Sequence, residues 1–509
     1  MGLKVLFVAS EVAPYAKSGG LGDVAGSLPR ALRNAGVDAR VVFPKYRTIK
    51  DECLTSCEYI KSFDVTLDWR TQKADIFTMH TDVPTYLIGN DYYFGRSGYY
   101  GYGDDDERFA FFCKAAIEFL SYIDDDFMPD IIHCNDWQTG PMCVYLKDKY
   151  SLIKDYKNIR TLYTVHNLQY QGMFPKHALS MMELDENYYF TNDKLEFYNM
   201  TSFMKAGLLY ADAISTVSKT YAYEVQTEQY GYGLDGVLRA RKDDLYGIVN
   251  GIDYDANNPE TSKKIYANFS ADDLTGKAEN KAQLQKDLGL PVRPDVPVFS
   301  IISRLVEQKG INLVLQAAGE LLSKDVQLVI LGTGDYTYEN MFKDLAYRYP
   351  DKVSANILFD DALSQKIYAA SDFFLMPSLF EPCGLGQLFA MSYGTIPVTR
   401  TTGGLVDTVK VYNPETGEGN GFQFQDYDAN GLIWAINEGL KVYADKAQWN
   451  KVVHNAIETR FSWDRSAKEY IDVYNKILEE HPQEKGRRRR LIILGDCFLK
   501  INIILDIVC

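Results

Sequence analysis

Short apolar runs of strand length recur along the chain, each followed by a Gly-rich or polar turn and then by a helical pattern. Residues 5–9 form the first run. In residues 21–34, Val24, Leu28, Ala31 and Leu32 fall at helical spacing, with Gly36 as a natural stop. Pro29 lies inside that helix and lacks an N–H, which predicts a kink. Further strand runs follow at 38–43, 130–133, 161–165, 213–217 and 246–249. The pattern then starts again, with runs at 297–303, 327–331, 353–358, 373–376 and 395–398. Helical stretches such as 311–322 and 365–370 separate them. Strands alternating with helices predict parallel sheets covered by helices on both faces. Two such series, divided near Asn250, predict an α/β chain of two doubly wound domains, 1–250 and 251–460. The cleft between them, at the carboxyl ends of the strands, is the expected ligand site.

Residues 255–295 read as the lead-in to the second domain. An amphipathic helix with anchors Phe461, Trp463, Tyr470 and Tyr474 follows, and 461–480 is expected to pack back towards the first domain. Residues 481–509 read as an atypical tail. They carry six cations, including Arg487 to Arg490, against three anions, and then an apolar stretch. Asp496, Lys500 and Asp506 interrupt that stretch, which argues against a membrane anchor.

Composition narrows the function classes. The 509 residues are 46% hydrophobic and 24% charged, as in a globular chain. Lys and Arg total 54 against 69 Asp and Glu, a formal charge of −15, which argues against nucleic-acid binding. The eight cysteines are scattered without a paired framework and read as reduced thiols, with no metal site. No signal or transit peptide is visible, which favours a bacterial cytoplasm. The acidic runs 104–107 and 124–126 lack metal-loop spacing and read as solvated turns.

Four loops carry candidate chemistry, each at a strand end. In the loop from Lys17 to Asp23, Gly19 and Gly20 open a helix whose start offers free N–H groups, with Lys17 adding a point charge. This suits a phosphate, or is a plain tight turn. Arg304 and Lys309 follow the first strand of the second series, where two cations clamp a diphosphate or form a solvated pair. Glu381 lies in a loop stiffened by Pro377 and Pro382, ahead of Cys383, Gly384 and Leu385 at a helix start. It reads as an acceptor for sugar hydroxyls or as a helix cap. Asp136 and the pair His166 and Asn167 leave parallel strands of the first series at one sheet edge, as acid/base candidates, whereas His133 reads as structural.

The strings KSGGLGDVAGSLP, HCNDWQTG, TVHNLQYQG, SRLVEQKG and FEPCGLGQL occur in this order. Together they resemble the glycogen synthases of bacteria and the starch synthases of plants, over residues 3–478. The resemblance implies a GT-B fold, two Rossmann-like domains facing across a cleft, with the acceptor on the first domain and the nucleotide sugar on the second. It implies retaining transfer of glucose from ADP-glucose to the non-reducing 4-hydroxyl of an α-1,4-glucan such as glycogen, with no cofactor or metal. By motif, Lys17 touches the diphosphate and sugar, and Arg304 and Lys309 clamp the diphosphate. Glu381 faces the glucosyl ring, and Asp136 and His166 lie beside the sugar. Gly19, Gly20, Asn167, Cys383, Gly384 and Leu385 join the substrate-binding set, and Phe359 covers the adenine.

Three positions depart from the family pattern. Ser18 replaces the usual Thr, Phe389 stands where related transferases often carry a second Glu, and the tail has no counterpart. The competing readings are the same fold with another donor, such as UDP-glucose, and a catalytically idle glucan-binding protein.

Overall fold

A computed structural model describes residues 2–123 and 127–482. The acidic run 124–126 and the tail from residue 483 lie outside the described residues. The first half contains β1 (Lys4–Val8), β2 (Asp38–Pro44), β3 (Cys57–Leu67), β4 (Arg70–Met79), β5 (Thr85–Gly89), β6 (Ile131–Asn135) and β7 (Arg160–Val165). Three short strands, β8 (Met173–Phe174), β9 (Glu196–Phe197) and β10 (Met200–Ser202), form a small antiparallel sheet. β11 (Ala213–Thr216) and β12 (Leu245–Gly247) then return to the main one. The main sheet runs β12-β11-β7-β6-β1-β2-β5-β4-β3. From β12 to β5 all neighbours are parallel, and β5-β4-β3 is an antiparallel extension.

The second half holds a parallel sheet of β13 (Val298–Ile302), β14 (Gln327–Leu331), β15 (Val353–Asn356), β16 (Phe373–Met376), β17 (Ile396–Arg400) and β18 (Phe422–Phe424). Its order is β15-β14-β13-β16-β17-β18. In both sheets the order reverses beside the first strand of the series, the topological switch at which doubly wound folds bind ligands. The helix Gly20–Asn34 runs through Pro29 without ending. The helix Thr275–Asp287 joins the second domain: Lys277 is buried and donates to the carbonyls of Ala369 and Tyr393, and Lys281 pairs with Asp372 at 2.8 Å.

One element pair is not anticipated by the sequence pattern, and one sequence expectation needs correction. The polar segment between β2 and β5 is a hairpin, β3 and β4, whose residues alternate between faces rather than forming an apolar run. The run 104–107 is no solvated turn. Asp105, Asp106 and Glu107 are buried at the start of the helix Asp105–Glu118. Asp105 pairs with the fully buried Arg108 and accepts from the Gly101 N–H at 2.8 Å, and Glu107 pairs with Arg70 at 2.7 Å. The charges are inside because each has a partner.

The chain crosses between the domains twice, near residues 250 and 461. The crossing segments touch: Ile252 N–H donates to the Phe461 carbonyl at 3.0 Å, and a Cβ on Gly251 would come within 2.5 Å of the Trp463 nitrogen. The terminal helix Trp463–Glu480 returns to the first domain. Its buried face, Ala467, Tyr470, Tyr474 and Ile477, belongs to that domain's core. Tyr474 hydroxyl bonds His133 Nδ1 at 2.7 Å, and Thr164 Oγ1 bonds its Nε2 at 2.6 Å. His133 is a buried structural residue, with burial holding its pKa well below the usual value.

Two short helices also brace the domains. Asp407, in Gly403–Thr408, accepts from Thr220 N–H and hydroxyl at the start of Lys219–Glu224. Glu224, at the end of that helix, accepts from Gly403 N–H at 2.9 Å. Each helix thus caps the start of the other with a carboxylate.

Candidate active site

A cavity of about 700 Å³ lies between the two domains, at the carboxyl ends of both sheets. Every candidate residue singled out from the sequence lines it except Phe359. Phe359 follows β15 on a loop and is 86% exposed.

On the first-domain wall, Asp136 leaves β6 with φ of 55°, a conformation that costs a non-glycine residue on the order of 1–3 kcal/mol and clusters at functional sites. The turn aims its carboxylate at the β7 loop, where Oδ1 accepts from the His166 N–H at 2.7 Å. Burial pushes Asp136 up to about 7, against the lowering pull of the His166 and Asn167 backbone N–H groups. His166 is pushed down to about 3 by burial alone, so its imidazole is neutral at working pH. Asn135 Nδ2 donates to the Val8 and His133 carbonyls, which turns Oδ1 towards His166 Nε2 at 2.9 Å. The hydrogen therefore resides on Nε2, and Nδ1 keeps its lone pair.

The Gly-rich loop differs from expectation. Its N–H groups at Ser18 and Gly19 are not free: both donate to the buried carboxylate of Glu11. Ser18 hydroxyl at 2.7 Å and Tyr100 hydroxyl at 2.6 Å donate to the same carboxylate. A side-chain anion thus occupies part of the place a phosphate was expected to fill. A Cβ at Gly19 or Gly20 would meet no protein atom within 4 Å, so these glycines leave room for a ligand. Lys17 is paired with Asp23 at 2.7 Å within its own loop.

On the second-domain wall, Lys309 Nζ pairs with Glu381 Oε2 at 2.7 Å, and Ser378 hydroxyl donates to the same oxygen at 3.0 Å. Gly310 makes this approach possible. Its φ is 71°, and a Cβ there would lie 2.0 Å from the Pro377 carbonyl oxygen. Arg304 is exposed and reaches across to the Tyr170 hydroxyl at 3.5 Å. Lys309 is therefore matched with Glu381, while Arg304 faces the opposite domain. Gly384 adopts φ of 75°, and Leu385 precedes the helix Gly386–Ser392. Cys383 is buried, and burial pushes its thiol up to about 12, which keeps it protonated.

Residues 4–240 match the starch synthase catalytic domain family, and residues 285–456 match the glycosyl transferases group 1 family. A glycogen synthase of Clostridium acetobutylicum is 51% identical over 479 residues, covering 94% of this chain and 100% of the relative. One of Clostridioides difficile is 49% identical over 483 residues, covering 94% and 100%. The chain belongs to the glycogen synthase family. The catalytic domain of Starch Synthase IV from Arabidopsis thaliana, solved bound to ADP and acarbose, is 35% identical with a TM-score of 0.88. The match covers 94% of this chain and 100% of that one. A sucrose-phosphate synthase from Thermosynechococcus elongatus shares the fold, at 20% identity and a TM-score of 0.59.

As a glycogen synthase family member the chain is a GT-B hexosyltransferase, with a nucleotide-sugar donor and a glucan acceptor. Among the cavity residues that sequence reasoning missed are Glu11, which organises the Lys17 loop, and Tyr100 and Asp105, which stand behind it. Glu11 lies three residues after the end of β1, and a carboxylate just past a strand's carboxyl end was the available signal. No helix among the described residues is long and apolar enough to cross a membrane.

Proposed function

We propose that the chain transfers glucose from ADP-glucose to the non-reducing 4-hydroxyl of an α-1,4-glucan, with retention, releasing ADP. The observation that carries this reading is the meeting of Lys17, Arg304 and Lys309 with Glu381, Asp136 and His166 around one interdomain cavity. Cations placed where the diphosphate departs stabilise the charge that develops in the transition state. They take the role a divalent ion plays in other phosphate chemistry, and the reading includes no metal. The adenine preference draws support from the ADP bound in the Starch Synthase IV structure, and Phe359 is assigned to cover the base when the cleft closes.

None of the side chains reaching the cavity is a ready covalent nucleophile. Glu381 is held in its ion pair with Lys309. The Cys383 thiol keeps its proton, and Asp136 takes one up near neutrality. Reaction on a single face follows. The bond from glucosyl C1 to the diphosphate oxygen breaks, and the acceptor 4-oxygen bonds C1 from the same side. Its proton passes to the departing phosphate oxygen. Closure of the domains excludes water, which would otherwise hydrolyse the donor.

The test offers labelled ADP-glucose and UDP-glucose separately with glycogen, in EDTA. Polymer label from ADP-glucose alone is the expected result. Label from UDP-glucose alone moves the donor, loss of label in EDTA overturns the metal-free route, and no label from either overturns the activity.

A further inference from the structure

The loop that carries Glu381 belongs to the second domain, yet much of what holds it comes from the first. Phe380 is packed edge-on against Tyr232, with ring centroids 5.7 Å apart, and Cys383 packs against Val217 and Val249. Between these two contacts, the helix Gly403–Thr408 holds the main chain of Glu381. The Gly404 N–H donates to the Glu381 carbonyl at 3.0 Å and to the Pro382 carbonyl at 3.2 Å. Gly403 comes so close, with φ of 46°, that a Cβ there would run into the Glu381 carbonyl oxygen.

The start of that helix is fixed in turn by Glu224, from the first domain. Glu224 Oε1 accepts the Gly403 N–H at 2.9 Å and the Thr402 hydroxyl at 3.1 Å. Its Oε2 is buried without a hydrogen-bond partner among the described residues, 3.5 Å from the place a Cβ on Gly403 would take. Thr402 stands at the cap position and could have capped the helix with its own hydroxyl, but it makes no such bond. A carboxylate with one bare buried oxygen is a costly substitute for that local cap, so helix stability does not explain it. What the carboxylate secures is a connection: one glycine separates it from the main chain of Glu381.

We propose that Glu224 is a positioning residue for the transfer reaction. Reaching across from the first domain, it holds Gly403 and Gly404 where they fix the main chain of Glu381, and so aligns the Glu381 side chain on Lys309 while the domains are in contact. The proposal rests on the reaction proposed above, which gives Glu381 its place beside the glucosyl ring.

Asp407 supplies the control. It also takes two hydrogen bonds between the same pair of helices, but both come from Thr220. The test uses the full chain as wild type, Glu224→Ala, Glu224→Asp, Glu224→Gln and Asp407→Ala, and Glu224→Ala combined with Glu381→Gln. Steady-state transfer from ADP-glucose to glycogen is measured, together with hydrogen exchange of the Gly404 amide in the absence of donor. Glu224→Ala is expected to lower kcat about tenfold or more, because a small misplacement of a reacting group is costly, with KM for ADP-glucose held within about threefold. Glu224→Gln keeps the acceptor oxygen and should return kcat to within about threefold of wild type, and Asp407→Ala should stay within about twofold. Added to Glu381→Gln, Glu224→Ala should cost less than about twofold more, since both act through one side chain. The Gly404 amide should exchange about tenfold faster in Glu224→Ala than in Asp407→Ala. Glu224→Asp, whose carboxylate falls short of Gly403, should follow Glu224→Ala in direction and serves if that variant does not fold. Equal kcat losses in Glu224→Ala and Asp407→Ala overturn the proposal. So does a Gln variant no better than Ala, or an undiminished loss in the Glu381→Gln background. If wild type transfers no glucose from ADP-glucose, the reaction assignment fails, while the exchange still decides the role of Glu224: an unchanged Gly404 amide overturns it.

Discussion

At the scale of single residues, the cavity gathers groups whose surroundings set their protonation. Asp136 has a folded value of about 7, above its ordinary value, so the folded chain prefers the protonated form. Its contribution to stability is full in acid and is lost as pH rises from about 4 through 7. Asp136→Asn should therefore gain melting temperature over wild type at pH 8 relative to pH 5, with turnover lowered roughly ten- to a hundredfold. An inflection near pH 7 in wild-type kcat/KM should vanish in the variant; a variant profile that keeps it assigns the inflection elsewhere. Glu11 is a second test. Glu11→Ala strands the N–H groups of Ser18 and Gly19 and leaves the Tyr100 hydroxyl with Ser10 alone. It should cost about 1–3 kcal/mol of stability and raise KM for ADP-glucose, with partial recovery in Glu11→Gln. That Lys17, Asp136, His166, Arg304, Lys309 and Glu381 stand at strand ends around one cavity was readable from sequence, because glycines and charges at strand ends are local signals. The Glu11 contacts and the buried 104–107 run were not. Their sense depends on partners such as Tyr100 and Arg70, far along the chain.

At the scale of elements, the strands of the second domain were visible as unbroken apolar runs because both faces of that sheet are covered. β3 and β4 escaped notice because one side of the hairpin is exposed and every other residue is polar. Gly310 decides how two of the functional loops meet. Gly310→Ala puts a methyl group against the Pro377 carbonyl at a positive φ. It should cost about 1–3 kcal/mol and, by displacing Lys309 from Glu381, depress kcat more than thermal stability alone explains. Unchanged kcat in a folded variant would separate the loop junction from catalysis. The mutual caps between Lys219–Glu224 and Gly403–Thr408 make a second element-level prediction. Asp407→Ala and Glu224→Ala should each lose about 0.5–2 kcal/mol. The double variant should lose less than their sum, since the two caps share one contact between the domains. Denaturant titration of the four proteins checks it, and strict additivity would mean the caps act independently.

At the scale of the whole molecule, the first domain is not a continuous stretch of chain. Its core is completed by the helix Trp463–Glu480, which covers His133 through Tyr470 and Tyr474. Residues 1–250 alone should bind hydrophobic dyes and lack a cooperative melt, and supplying residues 461–482 in trans should restore both. A cooperative melt of the isolated fragment would refute this. Tyr474→Phe in the intact chain should cost about 1 kcal/mol, the worth of a single buried hydrogen bond. The double crossing between the domains also bears on biosynthesis. Domains commonly fold in the order in which the ribosome delivers them. Here the first domain to be translated waits for nearly the last helix, while the second, contiguous between the crossings, can close earlier. During synthesis the half that opens the chain is thus the half left unfinished longest, its sheet uncovered at His133 until residues 470 and 474 emerge.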